Sequence, residues 1–349
     1  MRRCVCAIVL AAAPAVWAQG APTLLRRLTI LDPKKVEAVE RGEAVTINVE
    51  APEKTEIATL GVVRFDVPRA FYLERVRPLT AFFSSGTKTL SGTFSEPAKL
   101  DDVAALVLDP ADSKMLVKCQ PFSCDVKLPA SEMEKFRTAL AKSRAPEARA
   151  DSLMREWLVS YVNAYRADSM EETVVYDDTK RSVRSSDAFR ALLVEPMIAG
   201  LEGAPFTSML ATPRSARSPE VASRIAWALD RMPGLKPTLE VVERSLYSSP
   251  THPEECWMTS KLLYASHYFE SQVDFITVAD APAASGMSAM YLVILRRSKF
   301  DDLPSGGLFN IRGKAEKKLR DALKSTLANT RLQVEKAYAE STTPPPNAP

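Results

Sequence analysis

The side chains of this 349-residue sequence that could bind a metal ion or transfer protons are few. Only two histidines occur, His252 and His267, and His252 stands close to Glu254, Glu255 and Cys256. Zinc would need three or four such groups to converge. We expect His252 in a loop and His267 in a strand, so convergence is open, but the spacing matches no common zinc motif. The pattern therefore favours no metal ion, and no other cofactor is indicated.

A second group of polar and aromatic side chains surrounds His267. Tyr264, Tyr268 and Glu270 all lie within three residues of this histidine. An imidazole, a carboxylate and two phenols that point into one cavity could act as general acids and bases. A strand histidine more often has its hydrogen bonds satisfied within the protein, or it can anchor the polar part of a ligand. The sequence leaves these interpretations open.

The short motifs of the common enzyme classes are missing from the sequence. It contains no G-x-S-x-G, no P-loop, no G-x-G-x-x-G and no H-E-x-x-H. Adjacent like charges are poor acid–base pairs, because neighbours face opposite sides of a strand and lie roughly 100° apart on a helix. We expect solvated turns or helix starts at the four charged pairs Asp101-Asp102, Asp177-Asp178, Arg296-Arg297 and Asp301-Asp302.

The composition is that of a soluble globular protein. Apolar residues make up 46% of the chain and charged residues 26%, which excludes a disordered or collagen-like chain. The body of the sequence has no run of about 18 apolar residues, so an integral membrane protein is not expected. With 12 glycines and two histidines, the composition favours binding over catalysis.

The first 18 residues have the three parts of a secretory signal peptide. Arg2 and Arg3 form a basic start, residues 5–16 are apolar, and Val16-Trp17-Ala18 predicts cleavage after Ala18. We therefore expect a periplasmic or secreted protein. Because two arginines leave with this segment, 46 basic residues become 44, against 43 acidic ones. A net charge so close to zero gives no support for nucleic-acid binding.

Three cysteines remain after this cleavage. Cys119 and Cys124 frame a short turn that contains Pro121, and in an oxidising compartment this spacing predicts a structural disulfide. A redox-active pair would more often have the C-x-x-C spacing at a helix start. Closing so short a loop stabilises the fold by about 2 kcal/mol in the chain-entropy model. Cys256 is expected to be a buried free thiol.

The periodicity of the apolar residues predicts an α+β fold. Alternation predicts strands at 44–50, 60–67 and 89–94, and an antiparallel meander from Pro237 to Arg297 that bends at Glu270-Ser271. Spacings of three and four predict helices in the remaining stretches. The predicted helices lie at 100–108, from a capping box at Ser131 to Lys142, at 147–167, from Ser186, and from Ser218-Pro219 to Gly234.

A long amphipathic helix is predicted near the C-terminus, from Gly313 to Glu340. A helix of this length with one apolar stripe needs a wide partner, and the preceding sheet is the nearest one. Its basic face is expected to be solvated rather than bound to anionic lipid. The chain is thus divided into a signal peptide (1–18), an N-terminal α/β part with the Cys119–Cys124 loop (19–130), an α-rich block (131–234), an antiparallel sheet plus long helix (235–340) and a disordered tail (341–349).

Residues 238–338 resemble the helix-grip folds of the START-like superfamily of polyketide cyclases and lipid-transport proteins. The resemblance is carried by Tyr291–Leu295, Gly306–Phe309 and Lys314–Leu327, with Val62–Pro68 as an opening strand. It implies an antiparallel sheet packed on a long C-terminal helix, with an apolar cavity between them for a lipid or other hydrophobic ligand. It carries no catalytic motif.

The chain is also similar to an uncharacterised family of exported bacterial proteins. Lys118–Leu128 and Tyr264–Phe269 carry this similarity, which implies export but no activity.

The leading hypothesis is a non-catalytic exported protein that binds a hydrophobic or lipid-like ligand in a sheet–helix cavity. One alternative is a START-like enzyme with a site around His267. Another is a structural or interaction protein of the cell envelope, which includes a possible peripheral envelope contact. The expected partner is a hydrophobic small molecule or lipid, and the oligomeric state is not indicated. The residues expected to contact the ligand are Tyr264, His267, Tyr268, Phe269 and Tyr291.

Overall fold

The computed structural model describes most of the chain from Thr23 to Thr342. The predicted signal peptide, the Gly306–Phe309 turn, His252, Glu254 and the last seven residues of the predicted tail lie outside the described residues. The described residues are 23–79, 88–167, 173–193, 210, 221–231, 235–248, 255–282, 288–303 and 310–342.

The centre of the fold is one antiparallel sheet of eight strands, in the order β1-β2-β10-β9-β8-β7-β6-β3. A separate two-stranded ribbon is formed by β4 and β5. Both faces of the large sheet are covered over much of their area, so β2 and β7 to β10 are buried almost along their whole length. The strands are β1 Val45–Val49, β2 Glu56–Phe65, β3 Lys88–Thr93, β4 Val175–Tyr176, β5 Val183–Arg184, β6 Ala222–Asp230, β7 Thr238–Ser248, β8 Glu255–Ala265, β9 Phe269–Ala281 and β10 Ala289–Phe300.

Helices lie on both faces of this sheet. The α-helices are α1 Thr23–Arg27, α2 Pro33–Glu40, α3 Arg69–Val76, α4 Pro110–Leu116, α5 Ala130–Ala141, α6 Pro146–Ala167, α7 Ser185–Leu193 and α8 Ile311–Thr342, with a 3₁₀ turn at Leu100–Val103. The predicted fold class is confirmed, since α8 is a long C-terminal helix that packs against a large antiparallel sheet. Among the described helices, none combines the length and the apolar character needed to cross a bilayer.

One face of the sheet, the α8 face, is covered by α8 and α3. Leu323 and Leu327 of α8 are fully buried against β2 and belong to one apolar core with the inner side chains of β7 to β10. The helix crosses β2 at Gly61, where an added Cβ would lie 2.7 Å from a Leu327 methyl group. A side chain at this position would therefore push the helix away from the sheet.

The other face, the helical-block face, packs against α4 to α7. Ile225, Trp227 and Leu229 of β6 point into a core formed with α4, α5 and α6. A second core on this face joins α1, α2 and α7 to β1, β2, β9 and β10. The 22-residue helix α6 buries Leu158, Val162 and other members of the predicted apolar stripe, so this prediction is confirmed.

The helix predicted from Ser218-Pro219 to Gly234 is wrong, because residues 222–230 form strand β6. Apolar residues four positions apart, such as Ile225 and Leu229, fit an alternating strand as well as a helix. Pairing with β3 and β7 on its two sides decides between them. The segment 131–234 therefore contains β6, the strand next to the edge strand β3, in addition to helices.

Four smaller predictions also need correction. The meander bends at residues 266–268 rather than at Glu270-Ser271, and Tyr268 adopts a left-handed φ of 66° in this turn. The predicted helix at 100–108 is only a 3₁₀ turn, and α4 follows it. Ser131 does not cap α5, whose N-cap is Pro129. Helix α8 continues to Thr342, two residues into the predicted tail.

Candidate functional site

The predicted disulfide joins Cys119 to Cys124, whose Cα atoms are 4.7 Å apart. The disulfide loop (residues 119–128) lies against the β8–β9 turn and against the ribbon. The Lys127 amide donates to the Ser266 carbonyl at 3.0 Å, and the Cys124 amide donates to the Asp178 carbonyl at 3.1 Å. The loop is thus fixed to the segment that contains His267.

His267 is almost fully buried, with 3% of its surface exposed. Its Nδ1 lies 2.9 Å from the Asp125 carbonyl oxygen, and its Nε2 lies 3.0 Å from an Asp112 carboxylate oxygen. A carbonyl can only accept, so Nδ1 carries the proton in that contact. The Nε2 contact with Asp112 then needs a proton on one of its two partners, and a doubly protonated imidazole satisfies both acceptors.

Tyr264 lies beside this pair, with its ring packed on Trp157 at a centroid distance of 4.8 Å. Burial raises the pKa of its phenol well above the usual value, and the carboxylates of Asp112 and Asp178 raise it further. Its hydroxyl has no hydrogen-bond partner in the part of the chain that the structure describes. The phenol therefore stays protonated and does not act as a base at neutral pH.

Buried charges of opposite sign complete this region. The Lys127 ammonium pairs with Asp301, lies 3.7 Å from Asp178 and stands 4.3 Å from the Tyr176 ring centroid. Burial raises the pKa of Asp178, and Lys127 opposes that shift. We use the name His267 cluster for His267, Asp112, Tyr264, Lys127 and Asp178. The expectation of a solvated turn at Asp177-Asp178 is wrong for Asp178, because its carboxylate compensates the buried lysine.

Of the remaining predicted site residues, only Tyr268 lies at His267, with its ring centroid 5.7 Å from that of the imidazole. The Tyr268 hydroxyl accepts from the Lys236 amide at 2.7 Å near the protein surface. Phe269 packs on Phe300 on the opposite face of the sheet, with ring centroids 4.8 Å apart. Tyr291 lies in the core next to α1 and α2, where its hydroxyl donates to Glu40. Of the five predicted contact residues, Tyr264 and Tyr268 lie next to His267, whereas Phe269 and Tyr291 lie elsewhere.

Glu270 also has a separate partner. Its carboxylate accepts from Arg181, and burial raises its pKa above the usual value while Arg181 and Lys299 oppose the shift. Both ring nitrogens of His267 are already bonded within the protein. The His267 cluster therefore has the geometry of an internal anchor for the disulfide loop rather than of a group that exchanges protons with a substrate.

A different set of polar side chains lies on the α8 face, in one line across six strands. Direct pairing relates Thr59 to Arg296, Arg296 to Asp274, Asp274 to Ser260, Ser260 to Arg244 and Arg244 to Arg224. Residues paired across an antiparallel ladder present their side chains on the same face. We call this set the polar row: Thr59, Arg296, Asp274, Ser260, Arg244 and Arg224.

The contacts of the polar row differ from one end to the other. Arg296 donates two hydrogen bonds to the Asp274 carboxylate, at 2.8 and 2.7 Å. Burial lowers the pKa of Arg296, but the Asp274 carboxylate more than offsets it and the net shift is upward. The hydroxyl of Thr59 is buried and makes no hydrogen bond to another described residue. Leaving such a group without a hydrogen bond costs about 1–3 kcal/mol.

Apolar side chains border the polar row on both sides. The neighbouring line toward α8 contains Ile294, Ile276, Met258 and Leu246. The line on the other side belongs to a separate cluster of Ala226, Val242, Leu262, Ala265 and Phe269. The α8 face therefore presents a line of polar groups between two apolar areas.

Sequence reasoning missed the polar row, although a signal was present. Arg244, Asp274 and Arg296 are charged residues within strands that are buried along most of their length, and charged residues are rarely buried without a structural or functional reason. The expectation that Arg296-Arg297 is solvated is wrong: Arg297 is 1% exposed and pairs with Glu56 at 2.6 Å. The pairing of positions so distant along the chain cannot be read from a single sequence.

Cys256 is a buried free cysteine, as predicted. Burial raises the pKa of its thiol to about 11, so the thiol is protonated and unreactive at neutral pH. Within the described ranges, no group of three or more His, Cys, Asp and Glu side chains is placed to hold a metal ion. Comparisons with known proteins found no family model and no curated protein that matches the chain.

Proposed function

We propose that this is an exported, non-catalytic protein that binds a hydrophobic or lipid-like ligand on the α8 face, between the sheet and the long helix. The observation that carries the proposal is the polar row with apolar areas on either side. A ligand that is mostly apolar and has one polar group would match this apolar–polar–apolar order of side chains. Apolar ligand sites with a few oriented polar groups are the usual form of small-molecule sites in proteins.

The topology supports the START-like resemblance as part of this proposal. The strands β6 to β10 follow one another in the sheet, β2 lies beside β10, and α8 follows β10 directly. The helical segment from α4 to α7 is placed between β3 and β6, two strands that pair with each other. The fold therefore combines a sheet and a long C-terminal helix, with a helical block inserted between β3 and β6.

The disulfide loop supports the proposal of export to the periplasm or beyond. Disulfides persist mainly in oxidising compartments. The two segments similar to exported bacterial proteins, 118–128 and 264–269, contact each other through Lys127 and Ser266.

The first experiment asks whether the protein carries an apolar molecule. Protein purified without detergent would be extracted with organic solvent and the extract analysed by mass spectrometry. A fluorescent fatty acid would be titrated into the delipidated protein in parallel. We expect a co-purifying apolar molecule in stoichiometric amount and saturable binding of the probe. A clean extract together with no probe binding would refute the proposal.

A matched pair of variants would test whether the ligand binds on the α8 face. Ala226 is buried in the apolar cluster beside the polar row, and Ala148 is an exposed residue of α6, away from the α8 face. We expect Ala226→Phe to reduce probe affinity at least tenfold and Ala148→Phe to change it less than twofold. Thermal unfolding checks that both variants fold. Equal probe binding by folded Ala226→Phe and wild type would exclude this site.

A further inference from the structure

The two edges of the eight-stranded sheet differ in their protection against further pairing. β3, at one edge, carries Lys88 and a register shift between Lys88 and Leu90, and both features discourage another strand from pairing there. β1, at the other edge, pairs with β2 without a register shift over its five residues, Val45–Val49, and contains neither lysine nor proline. Five residues are a usual strand length, so β1 is long enough to pair on its second side.

The outer side of β1 has no partner in the part of the chain that the structure describes. Its one strand neighbour there is β2, and no described loop or turn hydrogen-bonds to its backbone. Every second residue of an antiparallel strand directs its N–H and C=O groups away from the partner strand. Helices α2 and α8 contact β1 from opposite faces of the sheet, so the strand is held in place although its edge is unpaired.

The side chains of β1 are only partly covered. Val45, Ile47 and Val49 are half-buried on the helical-block face, at the rim of the core that includes α1 and α2. Because side chains alternate along a strand, Thr46 and Asn48 lie on the α8 face. The edge therefore presents three half-buried β-branched side chains on one face and two polar side chains on the other.

The sequence of β1 is nearly symmetric about its central residue, Ile47. In two copies paired antiparallel about a two-fold axis at this residue, Val45 of one copy lies opposite Val49 of the other, and the two isoleucines face each other. On the α8 face, Thr46 lies opposite Asn48. Pairs of apolar β-branched side chains and pairs of polar side chains that can hydrogen-bond both stabilise neighbouring antiparallel strands. β1 is therefore complementary to a second copy of itself.

Charge also favours this antiparallel arrangement. Glu43 of one copy lies opposite Ala51 of the other, and Glu50 lies opposite Ala44, so no like charges are directly opposed. In a parallel pair in the same register, each glutamate would stand beside its own copy. Like charges in that position destabilise a sheet.

We propose that β1 is the interface at which two copies of this chain pair edge to edge and form a dimer with one continuous sheet. An interface that uses the same surface on both copies closes under two-fold symmetry, so assembly ends at the dimer and β3 stays unpaired. Because α2 and α8 flank β1, their copies approach them on the two faces and add side-chain contacts to the backbone pairing. The inference does not depend on the proposed ligand, which binds on a face of the sheet.

Sedimentation velocity over a series of concentrations of the purified protein tests for the dimer and measures its dissociation constant. Asn48→Lys and Ser91→Lys are a matched pair, because both residues are exposed and lie on opposite edge strands. We expect Asn48→Lys to weaken the dimer at least tenfold, since lysine at an edge opposes pairing, and Ser91→Lys to change it less than twofold. Thermal unfolding checks that both variants fold. A wild-type protein that is monomeric at high micromolar concentration, or equal weakening in both variants, would overturn the proposal.

A cysteine pair tests the register. Residues directly opposite each other in an antiparallel pair have Cα atoms about 4.5–5.5 Å apart, which is within the range of a disulfide. We expect mild oxidation to give covalent dimers of Ile47→Cys, seen on a non-reducing gel. We expect few from Val45→Cys, because the two substituted positions lie four residues apart along the paired strands. Covalent dimers from neither variant, or equally from both, would overturn the assignment of the interface to β1.

Discussion

The His267 cluster and the polar row lie on opposite faces of the same sheet, and both bring charged groups into a mostly apolar interior. In the His267 cluster the imidazole and each charged group have a partner: Asp112 contacts the imidazole, and Lys127 pairs with Asp301 and lies near Asp178. In the polar row, two guanidinium groups are direct neighbours. The comparison separates two settings of buried charge: the His267 cluster fixes the disulfide loop to the β8–β9 turn, and the polar row crosses the α8 face between two apolar areas.

The largest effect expected from this comparison is on His267. His267→Ala leaves the Asp112 carboxylate buried without its partner, and breaking a buried pair in this way costs about 3–5 kcal/mol. Urea unfolding should show that loss of the free energy of unfolding, while fatty-acid probe affinity of the folded variant stays within twofold of wild type. If the variant kept full stability but lost an activity, the catalytic alternative at His267 would replace our interpretation.

Removing the disulfide should have a smaller effect. The Cys119→Ala, Cys124→Ala double variant loses the constraint on a loop of six residues, and we expect a decrease of about 2 kcal/mol in the free energy of unfolding. The Cys256→Ala variant, measured in parallel, keeps the disulfide and controls for loss of a cysteine. A double variant that is as stable as wild type would show that hydrogen bonds alone fix the loop to His267.

Two buried tyrosine hydroxyls, those of Tyr161 and Tyr264, differ in their hydrogen bonding. The Tyr161 hydroxyl donates to the Leu263 carbonyl at 2.8 Å, whereas the Tyr264 hydroxyl has no partner. We expect Tyr161→Phe to lower the free energy of unfolding by about 1 kcal/mol and Tyr264→Phe to leave it unchanged within about 0.5 kcal/mol or to raise it. Thermal and urea unfolding would measure the free energy of unfolding of both variants. A large loss in Tyr264→Phe would reveal a partner for that phenol.

The smallest expected effect is a pH dependence at Glu270. Burial raises the pKa of this carboxyl in the folded protein above its usual value, so the folded state binds more protons than the unfolded state. The free energy of unfolding should therefore fall as the pH rises from 4.5 through the folded pKa. In Glu270→Gln this component should disappear, while Glu134→Gln at an exposed helix position should retain it. An identical pH profile for Glu270→Gln and wild type would contradict the assignment.

The local elements were largely predictable from the sequence, whereas the candidate site was not. Periodicity correctly indicated α6, α8 and most strands, and two cysteines five residues apart correctly indicated the disulfide. Periodicity gave the wrong element at β6, where apolar residues at intervals of four fit both a helix and a strand. The pairing of β6 with β3 and β7 makes this segment a strand. The polar row depends entirely on strand register, which sets Arg224 against Arg244 through contacts that local sequence does not encode.

The position of β2 beside β10 also constrains when this chain can fold. Val62, near the start of the chain, pairs with Val293, near its end, so the centre of the sheet cannot form until β10 is available. Contacts so distant in sequence make folding slow, since a long loop must close before they form. The pairing that joins the two ends of the chain can therefore form only after β10 has been synthesised. Such a delay would be compatible with the export that we propose.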